Sequence, residues 1–204
     1  MRLERVPSGM LMANSYLVMD EENKKAFLVD AGGYSDKIAN LLEETGCKLE
    51  YIILTHGHGD HTDGVPKYRE KYPDVKVIAS ISEKNFMLQK GMSFARTEIT
   101  ADEYVIDYQT MKIGSFDLLF MITPGHTPGG MCIYMADQKI LFSGDTLFHG
   151  SVGRSDFPGG SHAQLTKSIK TKLFELDDDV TVYPGHDTAT TIGDEKLYNP
   201  YVHL

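Results

Sequence analysis

The segment that begins at Thr55 concentrates side chains that could bind a metal ion. Three histidines and one aspartate lie within six residues, at His56, His58, Asp60 and His61, directly after an apolar run. Neutral imidazole and carboxylate are ligands that zinc, iron and manganese accept. Glycines at positions 57 and 59 let the backbone fold tightly enough for the side chains to converge. A solvated polar loop is the alternative, but clustering these groups without a metal leaves them partly desolvated, which is costly.

Four ligands from one loop are too few to complete two metal sites. Three later residues, which also follow predicted strands, could supply the others. His126 lies in a turn rich in Gly and Pro, and Asp145 and His186 each follow an apolar run. Each could be an ordinary turn residue when taken singly. Together, and in this order, they predict one centre built from strand ends.

Short apolar runs alternate with helical patterns along the chain, which predicts an α/β or α+β fold. The run 51–54 is continuous rather than alternating, as is typical of a strand covered on both faces. The predicted strands are 15–19, 26–29, 51–54, 75–79, 116–122, 131–135, 140–142 and 180–183.

Helical periodicity predicts helices at 35–45, after Gly64, and at 161–176. Ser161 and Gln164 have the spacing of a capping box at the start of the last helix. The segment 83–102 mixes Met and Phe residues with a glycine, and a packed helix is favoured there over a mobile lid.

Composition narrows the functional classes. The 204 residues, 41% of them hydrophobic, fit a single domain over residues 1–204. The net charge of -9 argues against general nucleic-acid binding. No segment has the length and apolarity of a signal peptide or a membrane span. Cys47 and Cys132 form neither a CxxC pair nor a disulfide framework, so we expect a reducing cytoplasm.

The HxHxDH motif and the later residues resemble the metallo-β-lactamase superfamily, and within it a short form of the glyoxalase II-like hydroxyacylglutathione hydrolases. The resemblance extends over nearly the whole chain. It implies a four-layer αββα sandwich with two metal ions at one edge of the sheets. By this resemblance the ligands of the first metal are His56, His58 and His126, those of the second are Asp60, His61 and His186, Asp145 bridges both, and Asp30 orients the histidine loop.

The chemistry implied is hydrolysis by a hydroxide that bridges two divalent ions, with zinc preferred and iron or manganese as alternatives. Asp60 and Asp145 are the expected catalytic carboxylates. Two dications, two carboxylates and one hydroxide leave a local charge of about +1, which suits a small anionic substrate. A thioester fits because its thiolate has a conjugate pKa of about 8.5 and departs without a separate acid. The expected substrate is a small anionic thioester, with reactive esters and lactones as alternatives, and the resemblance to glyoxalase II implies a glutathione conjugate such as S-lactoylglutathione.

Glutathione recognition has weaker support than catalysis. Arg154 stands where the glyoxalase II pattern has a Lys that holds a glutathione carboxylate, and Arg can make the same contact. Pairing of Arg154 with Asp156 is the equal alternative. The resembled enzymes add a C-terminal helical domain that contributes to glutathione binding, whereas the sequence ends at Leu204. Asp30 has its own alternative, as a turn residue before Gly32.

Two other functions stay open. Persulfide dioxygenases share the fold and the ligand residues, resemble the stretch 153–157, and use one iron held by two His and one Asp. A non-catalytic metal-binding module is the third interpretation, although all seven ligand positions are filled. Zinc β-lactamases of the main class have Cys at the position of Asp145, and flavodiiron proteins have Glu at that of His58, so neither pattern is met.

Overall fold

Two six-stranded β-sheets form the interior of the computed structural model, which describes residues 1–202. The first sheet contains, side by side in chain order, β1 (Arg2–Ser8), β2 (Ala13–Asp20), β3 (Lys25–Val29), β4 (Lys48–Ile53), β5 (Lys76–Ser80) and β6 (Glu103–Val105). Strands β1 to β3 pair antiparallel, and the pairings from β3 to β6 are parallel.

The second sheet comes from the later part of the chain. Its strands, in spatial order, are β14 (Thr190–Thr191), β13 (Thr181–Pro184), β10 (Ile140–Gly144), β9 (Met131–Met135), β8 (Phe116–Ile122) and β7 (Thr110–Ile113). Strands β10 and β13 are parallel and the other neighbours antiparallel. A small hairpin follows β10, formed by β11 (Leu147–Phe148) and β12 (Ser151–Val152).

Short helices connect the strands. They are α1 (Asp36–Thr45), α2 (Gly59–Thr62), α3 (Val65–Lys71), α4 (Lys84–Met87), α5 (Lys90–Ser93), α6 (His162–Ser168) and α7 (Ile192–Tyr198). Single 3-10 turns lie at Ile81–Glu83 and Ala136–Gln138, and a π-helical segment at Ile169–Leu173. None of the helices within residues 1–202 is long and apolar enough to cross a membrane.

Three hydrophobic cores are stacked through the molecule. The first joins α1 and α3 to the first sheet, the second fills the space between the sheets, and the third joins α6 to the second sheet. Adjacent residues of β4 show why strand side chains reach two cores: Ile52 faces the first core and Ile53 the second. Each fully buried aliphatic side chain contributes about 1.5–3 kcal/mol. The layers form the predicted αββα sandwich.

All eight predicted strands are present. The unpredicted strands are the small hairpin and the four sheet edges, β1, β6, β7 and β14. Helix α1 ends at Gly46 in a left-handed conformation, as expected for a helix stop. The segment 83–102 holds two one-turn helices with Phe86 and Met87 buried, rather than one helix.

The prediction of one continuous α-helix over 161–176 was wrong. The Ser161 hydroxyl does accept the Gln164 backbone N–H, but the α-helix ends at Ser168 and continues as a π-helical segment. A π turn accommodates an extra residue, and both Leu173 and Phe174 reach the third core.

Candidate metal centre

The seven predicted ligands come together at one edge of the two sheets. The loop after β4 carries the first four, and His126, Asp145 and His186 follow β8, β10 and β13. These three strands run in the same direction, so their carboxyl ends meet at one edge. Asp60 and His61 lie in the short helix α2, one turn beyond His58.

The two glycines of the HxHxDH loop provide space rather than an unusual backbone angle. A Cβ at Gly57 would lie 2.7 Å from Cγ of Met87, and one at Gly59 would lie 2.6 Å from the carbonyl oxygen of Phe94. Neither glycine has a positive φ. The segment that contains α4 and α5 therefore packs directly on the ligand loop.

His56, His58 and His126 form the first cluster, in which one nitrogen of each ring lies within 4.8 Å of the others. All three are buried. Nδ1 of His58 is 2.9 Å from Nε2 of His126. The other nitrogen of His126 donates to the Arg154 carbonyl at 2.6 Å, which leaves Nε2 free of its proton for a ligand bond.

Asp60, His61 and His186 form the second cluster. Nε2 of His186 lies 3.2 Å from Oδ2 of Asp60 and 3.4 Å from Nε2 of His61. Asp60 and His186 are partly exposed, whereas His61 is fully buried.

Asp145 lies between the two clusters. Its Oδ1 is 3.4 Å from Nε2 of His61, and its Oδ2 is 3.6 Å from Nε2 of His126. One carboxylate thus reaches a histidine of each cluster, which is the placement expected of a bridging ligand.

The residues present fit a pair of divalent ions. Within residues 1–202, Nε2 of His56 and Oδ1 of Asp145 are buried without a hydrogen-bond partner. Leaving buried polar atoms unpaired costs about 1–3 kcal/mol each, and a cation would satisfy both. Imidazole with carboxylate suits zinc, iron or manganese, so the donor set does not single out one metal.

Asp30 orients two of the histidines. Its Oδ2 accepts Nδ1–H of His61 and the hydroxyl of Thr55, each at 2.8 Å, and its Oδ1 accepts the Thr55 backbone N–H. Because the Thr55 hydroxyl donates to Asp30, it accepts Nδ1–H of His56 at 3.0 Å. We assign these protons from the network. When each ring is neutral, its proton therefore sits on Nδ1, and Nε2 is the nitrogen that it offers to a metal.

The pKa values of the histidines differ between the clusters. Burial, reinforced by the neighbouring histidines, lowers the pKa of His58 to about 3 and holds that of His56 well below its usual range. Burial also opposes protonation of His61, but Asp145 and Asp30 outweigh it and raise its pKa to about 10. The hydrogen bond that His186 donates to the Asp60 carboxylate raises the pKa of His186. Without metal ions, His61 and His186 of the second cluster therefore take up protons more readily than His56 and His58 of the first.

A cavity of about 920 Å³ opens above both clusters. His58, Asp60, His126, Asp145 and His186 line it alongside apolar side chains. Its other lining residues include Met10, Leu11, Phe94, Arg96, Arg154 and Phe157.

Arg154 lines the cavity while engaged with a neighbour. Its guanidinium donates to both carboxylate oxygens of Asp156, at 3.0 and 2.8 Å, and stacks 4.0 Å from the centre of the Phe157 ring. The pairing with Asp156 is thus present, and binding of a substrate carboxylate by Arg154 stays a prediction.

Sequence reasoning missed two residues that anchor ligand loops. Asn14 donates from Nδ2 to the carbonyl oxygens of Pro184 and Asp187, both at 3.0 Å, and so holds the His186 loop. Glu83 accepts backbone N–H groups beside the first cluster. Asn14 and Glu83 are polar residues next to predicted apolar segments, which was the only available signal. The sequence does not indicate which groups they contact.

Comparisons with known proteins agree on one protein family. The model of the metallo-beta-lactamase superfamily matches residues 8–186. Hydroxyacylglutathione hydrolase GloC of Haemophilus influenzae is 32% identical, over 100% of this chain and 99% of that protein. Mitochondrial persulfide dioxygenase ETHE1 of Homo sapiens is also 32% identical, over 93% of this chain and 71% of that protein.

Solved structures agree. The crystal structure of BLEG-1 B3 metallo-beta-lactamase has a TM-score of 0.90 and 31% identity, covering 98% of this chain and 99% of that one. The crystal structure of TTHA1623 in a di-iron-bound form has a TM-score of 0.85 and 31% identity, covering 98% of this chain and 100% of that one.

Proposed function

The chain belongs to the metallo-beta-lactamase superfamily, whose members are generally metal-dependent hydrolases, and from this premise we propose that it is a two-metal thioester hydrolase of the hydroxyacylglutathione hydrolase type. One observation carries the proposal. The Asp145 carboxylate reaches a histidine of each cluster, at 3.4 and 3.6 Å, so two ions held there would share it.

When bound, two divalent ions lower the pKa of a shared water towards ~7 and polarise a substrate carbonyl. The chain's own residues hold and orient this centre. Asp30 accepts Nδ1–H of His61 directly and fixes the Nδ1–H of His56 through Thr55, so Nε2 is the nitrogen that each ring offers to an ion. The Arg154 carbonyl does the same for His126. The proposed ligands are His56, His58 and His126 for one ion, Asp60, His61 and His186 for the other, and Asp145 for both.

A thioester suits this cavity better than an amide. Every histidine that lines the cavity within residues 1–202 belongs to one of the two clusters, so none is spare as a proton donor. An amide nitrogen must be protonated to leave. A thiolate, with a conjugate pKa of about 8.5, departs unprotonated at neutral pH.

Two guanidinium groups at the cavity favour an anionic thiol carrier. Arg154 and Arg96 both line it, and both are paired with exposed or rim carboxylates, Asp156 and Asp63. Surface ion pairs of this kind contribute only about 0–1 kcal/mol. A substrate carboxylate can therefore replace Asp156 on Arg154 at little cost. We further propose that the activity resides in a single catalytic domain and acts in the reducing cytoplasm, where the buried thiols of Cys47 and Cys132 stay free.

Hydrolysis of S-lactoylglutathione by zinc-loaded protein, with a chelated control, tests the proposal. We expect chelator-sensitive turnover that Asp60→Ala reduces by more than about 100-fold, since even residues behind metal ligands contribute 10–100-fold. Asp74→Ala, an exposed aspartate paired with Lys48, should leave the rate unchanged. Turnover that persists in Asp60→Ala would contradict the two-metal assignment.

A persulfide dioxygenase is the second candidate, because the human enzyme of that name is equally identical at 32%. Iron-loaded protein given glutathione persulfide separates the two functions. Oxygen uptake without thioester turnover would replace the hydrolase proposal. A chromogenic β-lactam should be included as well, given the similarity to BLEG-1.

A further inference from the structure

A buried carboxylate, that of Glu83, lies beside the first cluster and does not line the cavity. Glu83 ends the 3-10 turn after β5 and is only 1% exposed. It forms no salt bridge within the described part of the chain. Burying a carboxylate without a cation costs several kcal/mol unless hydrogen bonds compensate it. The hydrogen bonds that compensate this one connect it to the ligand loops.

Each carboxylate oxygen of Glu83 accepts one backbone N–H. Oε1 accepts from Gly57 at 2.9 Å, and Oε2 accepts from Gly129 at 2.6 Å. Gly57 lies between His56 and His58, and Gly129 lies three residues after His126. One side chain thus joins the two loops that carry all three ligands of the first cluster.

The loops approach Glu83 closely, and at Gly129 the approach leaves no room for a side chain. A Cβ at Gly129 would lie 2.3 Å from the Glu83 nitrogen, and one at Gly57 would lie 3.2 Å from its Oε1. The absence of side chains at Gly57 and Gly129 therefore allows both loops to lie close to Glu83.

We propose that Glu83 is a positioning residue that sets the separation of the His56–His58 loop and the His126 loop, and thereby the metal affinity of the first cluster. It touches neither the cavity nor the reacting atoms. The proposal concerns metal binding and holds whichever reaction the centre performs. Glutamine is the informative replacement, because its amide oxygen satisfies one N–H while its NH₂ group faces the other.

Glu195 provides a matched control. It is 2% exposed, and its carboxylate accepts the Gly150 backbone N–H, the Thr190 hydroxyl and the Asn199 amide. Glu195→Gln therefore disturbs an equally buried carboxylate that joins loops away from the first cluster.

The experiment measures the Zn²⁺ affinity of metal-free protein by competition with a chromophoric chelator. A His186→Ala background removes a ligand of the second cluster, so the titration reports on the first. We expect Glu83→Gln to weaken this affinity by about 10–100-fold, the usual effect of residues that orient metal ligands, and to alter the Co²⁺ absorption spectrum. Glu195→Gln should lower the melting temperature without changing either readout.

Unchanged Zn²⁺ affinity and Co²⁺ spectrum in Glu83→Gln, with only a lower melting temperature, would overturn the proposal. If Glu83→Gln does not fold, Glu83→Asp decides by the same criteria, since it keeps the charge but is one methylene too short to accept both N–H groups. Thioester turnover is not measured, so failure of the hydrolase proposal would leave this result interpretable.

Discussion

The two ligand clusters differ in burial and in charge. His56, His58 and His126 are 2%, 5% and 5% exposed, whereas in the second cluster the side chains of Asp60 and His186 are 18% and 26% exposed and only that of His61 is fully buried. The first cluster contains only imidazoles, and burial favours the neutral form of His56 and His58. The second contains a carboxylate and takes up protons.

This difference predicts that the two clusters bind their metal ions with different affinities. A cation entering the first cluster finds neutral ligands that are fixed from behind by the protein. A cation entering the second must displace protons at the edge of an open cavity. We therefore expect the first ion to bind tightly and the second to exchange, with Asp145 coupling the two.

Asp145→Asn should have the largest effect, because it acts on both clusters. The amide oxygen carries no charge to share between two cations, so we expect a loss of turnover of more than about 100-fold and weaker binding of both ions. Metal content after gel filtration and steady-state kinetics measure this. Normal retention of two ions would mean that Asp145 does not bridge them.

His126→Ala and His186→Ala compare the clusters directly. His186→Ala should retain one tightly bound Zn²⁺ per chain and lose the second, whereas His126→Ala should lose the tight site. Isothermal titration of metal-free protein distinguishes the two. Identical titration curves would remove the distinction between the clusters.

Acidification should release the second ion before the first. His61, with its pKa raised to about 10, is protonated at neutral pH without an ion, so a cation must compete with that proton more strongly as pH falls. His58, with a pKa of about 3, offers no such competition above pH 4 or so. Metal content after dialysis at pH 8 and pH 6 measures the order of release.

Metal-free protein should show the complementary trend. The raised pKa of His61 contributes stability that is present below its ordinary pKa of 6.5 and is lost as pH rises through about 10. Thermal unfolding between pH 7 and pH 10 should record a falling melting temperature. Simultaneous release of both ions on acidification, or a flat stability profile here, would contradict the assigned protonation.

Phe94→Gly should have the smallest effect of these changes on stability, and should weaken binding of the thioester without changing its turnover. Phe94 has φ of 55°, in the left-handed region, and its ring is 55% exposed beside His58 in the cavity wall. Glycine relieves strain of about 1–2 kcal/mol, so the melting temperature should not fall. KM for the thioester should rise while kcat changes little. A lower melting temperature with unchanged KM would assign Phe94 to the fold instead. Leu88→Ala, in the same segment, is the control.

The residues of the two clusters could be singled out because they are written locally, and their assignment as metal ligands, which the resemblance implies, stays a prediction. HxHxDH lies within six residues, and each later ligand follows an apolar run. The central strands were predictable for the same reason, since burial on both faces produces continuous apolar runs. The four missed edge strands have one neighbour each and carry no such run.

Long-range contacts were beyond prediction. Glu83 is 26 residues from Gly57 and 46 from Gly129, and Asn14 is 170 residues from Pro184. A single sequence gives no indication of such partners. The role of Gly57 and Gly59 was also misjudged, because the constraint on them is the packing of a distant segment rather than a turn.

The most direct test of the account is turnover of S-lactoylglutathione during stepwise addition of Zn²⁺ to metal-free protein. We expect little activity after the first equivalent, which fills the first cluster, and a rise to a maximum as the second equivalent fills the second cluster. Full activity at one equivalent would contradict a two-metal hydrolase, and absence of turnover at two equivalents would contradict the thioester assignment.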